Sequence, residues 1–359
     1  MSASWSNFIL IFIGTAVLSF ILTKLVIALA NNYKILDYPK DERKIHKVPM
    51  PLLGGLPIYF SWVIVILFLN WQGRLLDQKI SWLMLAGLLV AGLILIIMGV
   101  LDDKYNLPPQ ATIWAPILAA LAIIVSGMEI THVTHPSGGV LYLNNLVGNS
   151  GFFLLWLPPA ITFLWLLSIT YTAKLLDGVD GLTSSIGLVA SLVIFIVSLS
   201  WDVRCSTTSL LSIAFSGAIF GFLVLNWHPA KIFLGEGGST LIGFTLGVLS
   251  IISGSKIATA LLVMGLPLLD IFWVVVRRLK RGQPFWRGDQ EHLHFRLLAA
   301  GLSQRQVVFF LSLVSFCFGL MSIFFTTKTK LGALAFLLIF MFVLSSWLNY
   351  RLKARHENN

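Results

Sequence analysis

An all-α, polytopic integral membrane protein of about eleven transmembrane helices is predicted by three observations. The 359 residues are 57% hydrophobic and only 11% charged, with a mean hydropathy of +0.88, outside the range of soluble globular domains. The apolar residues come in runs of about 20, the length that crosses a hydrocarbon core of about 30 Å. The charges collect between those runs rather than in them.

Taken in order, the runs lie at roughly 7–30, 51–70, 81–100, 111–128, 152–171, 184–200, 208–226, 239–253, 257–276, 306–326 and 331–350. The first lacks a basic leader and a small-residue cleavage site, so it reads as a retained anchor. Segments 31–50, 101–110, 172–183, 227–238, 277–305 and the residues after 350 hold 18 of the 25 Lys and Arg residues. The positive-inside rule then predicts an external N-terminus and an internal C-terminus. One membrane domain, 1–350, is followed by a basic cytoplasmic tail, 351–359. The net charge of +10 is thereby explained by topology, and nucleic acid is not an expected partner. Between the fourth and fifth runs, Gly138-Gly139 and the alternation of Val140, Tyr142 and Leu146 predict a short external hairpin. His132 and His135 nearby have no third ligand to make a metal site, and Cys205 and Cys317 are expected to be structural.

The acidic residues gather on the inward side. Asp102 and Asp103 end the third run, Asp177 and Asp180 punctuate "KLLDGVDGLT", and Glu236 lies in the Gly-rich turn "FLGEGGS" that opens into the eighth run. Adjacent carboxylates need a cation, a shared proton or water. Paired aspartates supply a base or hold Mg²⁺ against phosphate, and a Gly-rich helix start favours a diphosphate. The basic loop containing Lys44 and His46 sits at headgroup level, where it attracts an anionic phosphate. His292, His294 and Arg296 lie at two-residue steps, which favours an extended or irregular segment suited to phosphate. Asp270, inside a run, is a functional candidate by its location.

Four segments in order, "RKIHKVPMPLLGG", "GVLDDKYNLP", "LLDGVDGL" with "KIFLGEGGS", and "HLHFRLLAAG", resemble the polyprenyl-phosphate N-acetylhexosamine-1-phosphate transferases. The eleven runs and internal C-terminus are similar to the undecaprenyl-phosphate N-acetylglucosamine-1-phosphate transferase branch. That resemblance implies a Mg²⁺-dependent reaction, with Mn²⁺ as an alternative, on the cytoplasmic face of a bacterial inner membrane. A polyprenyl phosphate would attack the β-phosphate of a UDP-sugar, UDP-N-acetylglucosamine by default, and release UMP. It implies catalysis by Asp102 and Asp103, nucleotide binding by Asp177, Asp180 and Gly181, and sugar or diphosphate contacts from His292, His294 and Arg296. A homodimer is implied by the same resemblance.

The chain departs from that pattern where it matters. The family usually has asparagine where Lys174 stands and aspartate where Glu236 stands, and those are its expected Mg²⁺ ligands. A further histidine is replaced by Phe295, and the basic cluster after the aspartate pair is replaced by uncharged "PPQATIW". Lys174 has donors and no acceptor, so it is expected to engage the diphosphate, leaving the metal to Glu236 with Asp177 or the Asp102–Asp103 pair. The alternatives are a catalytically inactive relative or a transporter of lipid-linked sugars. A transporter would place polar residues at the bilayer midplane and show repeats; no repeat is visible.

Overall fold

The computed structural model describes residues 5–39, 46, 48–76, 80–134, 139–143, 156–201, 206–253, 257–282, 291–325 and 327–357. Helices α1 (Trp5–Asn32), α2 (Gly55–Trp71), α3 (Trp82–Tyr105), α4 (Pro109–Thr112), α5 (Trp114–Val125) and α6 (Leu157–Leu176) form the first half. The second half holds α7 (Leu182–Trp201), α8 (Thr207–Asn226), α9 (Gly235–Ile252), α10 (Ile257–Val263), α11 (Gly265–Lys280), α12 (Leu293–Ala299), α13 (Gln304–Phe324) and α14 (Thr327–Glu357). Among the described residues, eight helices are long and apolar enough to cross a membrane, or nine if α10 and α11 are one bent span. Two apolar runs are shorter, α2 and the α4–α5 segment.

Prolines explain where apolar runs fail to stay straight. The run at 257–276 was expected to be one helix, but it bends by 74° between α10 and α11. Pro267 cannot donate a hydrogen bond, and its ring crowds the carbonyl four residues back, at Val263, where α10 stops. Pro116 stands in the same relation to Thr112, the last residue of α4. In the other direction, α14 runs on through Glu357, so the basic residues after 350 continue the last helix.

The core is helix on helix. The spans of α8 and α9 are 83% buried against 22% for α1, so they form the centre and the others wrap them. Hydroxyls inside these apolar helices bond backward to the preceding turn, as Thr170 Oγ1 does to Leu166 O (2.6 Å) and Thr172 Oγ1 to Ser168 O (2.7 Å). This satisfies them where water is scarce. Small residues set how closely the central helices approach. A Cβ on Gly99 of α3 would come within 2.2 Å of Gly237 Cα in α9, and this backbone contact draws the end of α3 that carries Asp102 and Asp103 onto the start of α9.

Two small strand pairs complete the fold. β1 (Leu36–Asp37) pairs antiparallel with β2 (Met50–Pro51). The expected hairpin is present as β3 (His132–Thr134) and β4 (Val140–Tyr142), with His132 opposite Tyr142. His135, Leu146 and Cys205 lie outside the described residues. Beyond β2 the chain is stitched to the loop before α9: Phe233 N donates to Pro51 O (2.8 Å), and Gly54 N to Phe233 O (3.1 Å).

Candidate active site

Four helix ends meet at one place: the C-terminal ends of α3 and α6 and the N-terminal ends of α7 and α9. Asp103 binds the layers together. Its Oδ1 accepts Glu236 N (3.1 Å) and its Oδ2 accepts Leu53 N (3.2 Å), so one carboxylate joins α3, the α2 approach and α9. The backbone opposite must be glycine, because Gly235 has φ +68° and a Cβ there would sit 2.2 Å from Asp103 Oδ2. Asp102 Oδ1 accepts Leu107 N (3.0 Å) just past the left-handed cap Asn106; among the described residues its second oxygen is uncommitted.

Lys174, in the last turn of α6, reaches across to Glu236 in the first turn of α9, with Nζ 2.6 Å from Oε1. The two side chains are 29% and 14% exposed, so this pair is partly desolvated yet still reached by water. Asp177 caps α6 and faces the open cleft. The mass of surrounding protein, then the carboxylates of Asp103, Glu236 and Asp180, push its carboxyl upward; water entering the cleft moderates that push.

Beside this cluster is a cavity of about 470 Å³, lined among others by His46, Asp177, Asp180, His228, Phe233 and Phe295. The volume suits a small-molecule ligand. Asp180 shapes one wall, with Oδ2 taking His228 Nδ1 (2.7 Å) and Ala230 N (3.2 Å). Gly181 follows with φ +76° and leads into α7. Asn226 braces the same wall, with Nδ2 on Ile232 O (2.9 Å) and Oδ1 accepting Ser184 Oγ (2.8 Å). His46 stands edge-on to Phe233, with ring centroids 5.2 Å apart. Lys44 lies outside the described residues.

The histidine segment is not extended or irregular as expected, but turns into a helix. Asp270 Oδ1 accepts Leu293 N (3.0 Å) and so caps a short helix, α12, while Oδ2 meets His292 Nδ1 (3.0 Å). A helix separates side chains that a strand would have aligned. His292 faces Asp270, and its ring stacks parallel to that of His294, with centroids 5.8 Å apart. His294 is 1% exposed, and its unpartnered Nε2 points at Gly178, where a Cβ would come within 2.5 Å. Burial pushes its imidazole down to about 4. Arg296 turns away from the cleft to Ser345 Oγ (3.0 Å) and Asn349 Oδ1 (2.7 Å), tying α12 to α14.

As it stands, the donor set does not fit a resident divalent ion. Both Asp103 oxygens accept backbone N–H groups, and Glu236 Oε1 holds the Lys174 ammonium. Among the described residues no three His, Cys, Asp or Glu side chains come together as ligands for one ion. At 4 Å an ammonium would repel a divalent cation by about 8 kcal/mol at an effective dielectric of about 20, which carboxylate ligands would first have to offset. Sequence reasoning also missed four wall residues, Asp37, Asn226, His228 and Phe233. The run "NWHPAKIF" was visible as a polar interruption before the Gly-rich turn, but nothing in it marked a cavity wall.

Residues 85–254, which carry the aspartate pair, the "LLDGVDGL" loop and Glu236, match glycosyl transferase family 4. Over 344 residues the chain is 30% identical to the probable undecaprenyl-phosphate N-acetylglucosaminyl 1-phosphate transferase of Bacillus subtilis, covering 93% of this chain and 90% of that one. It is 31% identical over 323 residues to the decaprenyl-phosphate N-acetylglucosaminephosphotransferase of Mycobacterium leprae, covering 83% and 79%. It is 28% identical over 327 residues to the undecaprenyl-phosphate alpha-N-acetylglucosaminyl 1-phosphate transferase of Escherichia coli K12, covering 86% and 80%. Likeness that extends along nearly the whole chain, and not only through its acidic loops, means that this protein belongs to the polyprenyl-phosphate N-acetylhexosamine-1-phosphate transferases of glycosyl transferase family 4.

Proposed function

We propose that the protein transfers N-acetylglucosamine-1-phosphate from UDP-N-acetylglucosamine to a polyprenyl phosphate, at the cytoplasmic face of a bacterial inner membrane. An oxygen of the lipid phosphate forms a bond to the donor's β-phosphorus, the bond to the α-phosphate bridge breaks, and UMP leaves. The observation that carries this reading is the junction of a ligand-sized cavity with a carboxylate and lysine cluster, both at the ends of apolar helices. A soluble nucleotide can enter from the aqueous side and a lipid from the bilayer, and the two phosphates meet between.

Each residue has a role that its geometry supports. Asp180 is fixed through Oδ2, and its Oδ1 can accept the uracil N3–H, beside the Phe233 and His46 rings. Asp102, with one oxygen uncommitted, takes a proton from the lipid phosphate. Asp103, with both oxygens committed, is a positioning residue that holds α3, Leu53 and Glu236 in register. His294, buried with its Nε2 against Gly178, braces the loop of Asp177 and Asp180 from behind, while Phe295 lines the cavity. A transporter reading is opposed by the gathering of these groups at helix ends.

The test is a membrane assay with undecaprenyl phosphate and a panel of UDP-N-acetyl sugars, following UMP release. Release should be fastest with UDP-N-acetylglucosamine and should require the lipid. Folded protein that releases no UMP from any sugar would support the inactive-relative alternative.

A further inference from the structure

We propose that Lys174 is the resident cation of this site: its ammonium, fixed on Glu236 among the carboxylates, fills the role of a protein-bound divalent ion. Three observations carry the inference. Lys174 Nζ lies 2.6 Å from Glu236 Oε1 and within electrostatic reach of Asp102, so it faces both sides of the cluster. The pair is held by the fold, because the lysine leaves the C-terminal turn of α6 and the glutamate leaves the N-terminal turn of α9. Helix dipoles favour a cation at the first position and an anion at the second, and the two helices pack directly on each other. The ammonium also sits 5.7 Å from the centroid of the Tyr171 ring, which further restrains its stem.

The chemistry is consistent with the role. A divalent ion in this cluster would draw on Glu236 with Asp177 or with the Asp102–Asp103 pair, but the lysine already holds one Glu236 oxygen and two backbone N–H groups hold Asp103. An ammonium keeps two further N–H groups after donating to Glu236, and these can donate to the oxygens of an arriving diphosphate. Phosphoryl chemistry needs positive charge against the developing negative charge at phosphorus, and Lys174 supplies it in place. Its role toward substrate rests on the transferase reading above; its exclusion of an ion from the cluster does not.

The test is a titration of Mn²⁺ against the purified full-length protein without nucleotide, with free Mn²⁺ read by electron paramagnetic resonance. The wild type should show no saturable site at micromolar Mn²⁺. Lys174→Asn and Lys174→Met should bind Mn²⁺ roughly 10- to 100-fold more tightly, the methionine keeping the aliphatic stem. Saturable micromolar binding by the wild type, or equal binding by wild type and variants, would overturn the proposal, and the wild-type titration decides even if a variant fails to fold. In parallel, thermal-shift binding of UDP-N-acetylglucosamine by the wild type should survive EDTA and should be lost in Lys174→Met. Loss of wild-type binding in EDTA would count against the lysine's role. Absence of sugar-nucleotide binding under every condition would instead defeat the transferase reading, with the Mn²⁺ result still standing.

Discussion

Glu236 and Asp270 are both helix carboxylates engaged by a basic side chain, and the contrast between them separates chemistry from architecture. Asp270 and His292 are 8% and 9% exposed, and both oxygens of Asp270 are used, one to cap α12 and one on the imidazole. Glu236 and Lys174 are more exposed, border an open cleft, and keep unspent hydrogen-bonding capacity. A closed, satisfied cluster can only hold parts in place, whereas an open one with spare donors can receive a substrate. What distinguishes the two regions is how many of their bonds the fold has already used.

The largest break in that comparison should come from Asp102→Asn. If the open cluster does the chemistry, UMP release should fall by about 10²–10⁴-fold while thermal unfolding in detergent stays unchanged. A fall in stability with retained turnover would reverse the assignment. Gly235→Ala should be next, since it forces a side chain against Asp103 in a left-handed backbone. It should cost about 1–3 kcal/mol of stability and most of the activity, read by unfolding midpoint and UMP release together.

Asp270→Asn tests the closed cluster. It disturbs a buried carboxylate that accepts two hydrogen bonds, so it should cost about 1–3 kcal/mol of stability and raise KM more than it lowers kcat. An equal loss in kcat at unchanged stability would place Asp270 among the reacting groups. A pH series sharpens the same point. Burial, with His292 adding to it and Asp270 opposing, lowers His294 from 6.5 to about 4. The folded state therefore favours the neutral ring. Stability from this group is full above pH 6.5 and is lost as pH falls from there toward 4. His294→Gln should flatten that part of the profile, as measured by unfolding midpoint against pH. The smallest effect is expected at the hairpin, where His132→Ala should leave UMP release unchanged, because β3 lies in a separate strand pair away from the acidic cluster.

The helices were legible in the sequence because a bilayer forces each span to carry its signal locally, in length and apolarity. Asp102, Asp103, Asp177, Asp180 and Glu236 were legible as a set because carboxylates at helix ends are conspicuous in such a chain. The bend before Gly265 was hidden, since Pro267 marks a break only when its effect on Val263 is weighed against a continuous apolar run. The local geometry of His292, His294 and Arg296 was not legible, because the capping carboxylate that makes α12 helical comes from Asp270, more than 20 residues earlier. The cavity wall of Asp37, Asn226, His228 and Phe233 exists only after the β2 segment is hydrogen-bonded to the loop before α9. No local pattern encodes a contact of that separation.

The central claim is that the bond broken lies between the two phosphates of the donor. It is tested most directly with UDP-N-acetylglucosamine carrying a labelled β-phosphate, incubated with protein and undecaprenyl phosphate and then partitioned between solvent and water. Label in the lipid fraction with unlabelled UMP in the water is the predicted result. Label retained in water as UDP, with the sugar alone on the lipid, would contradict it.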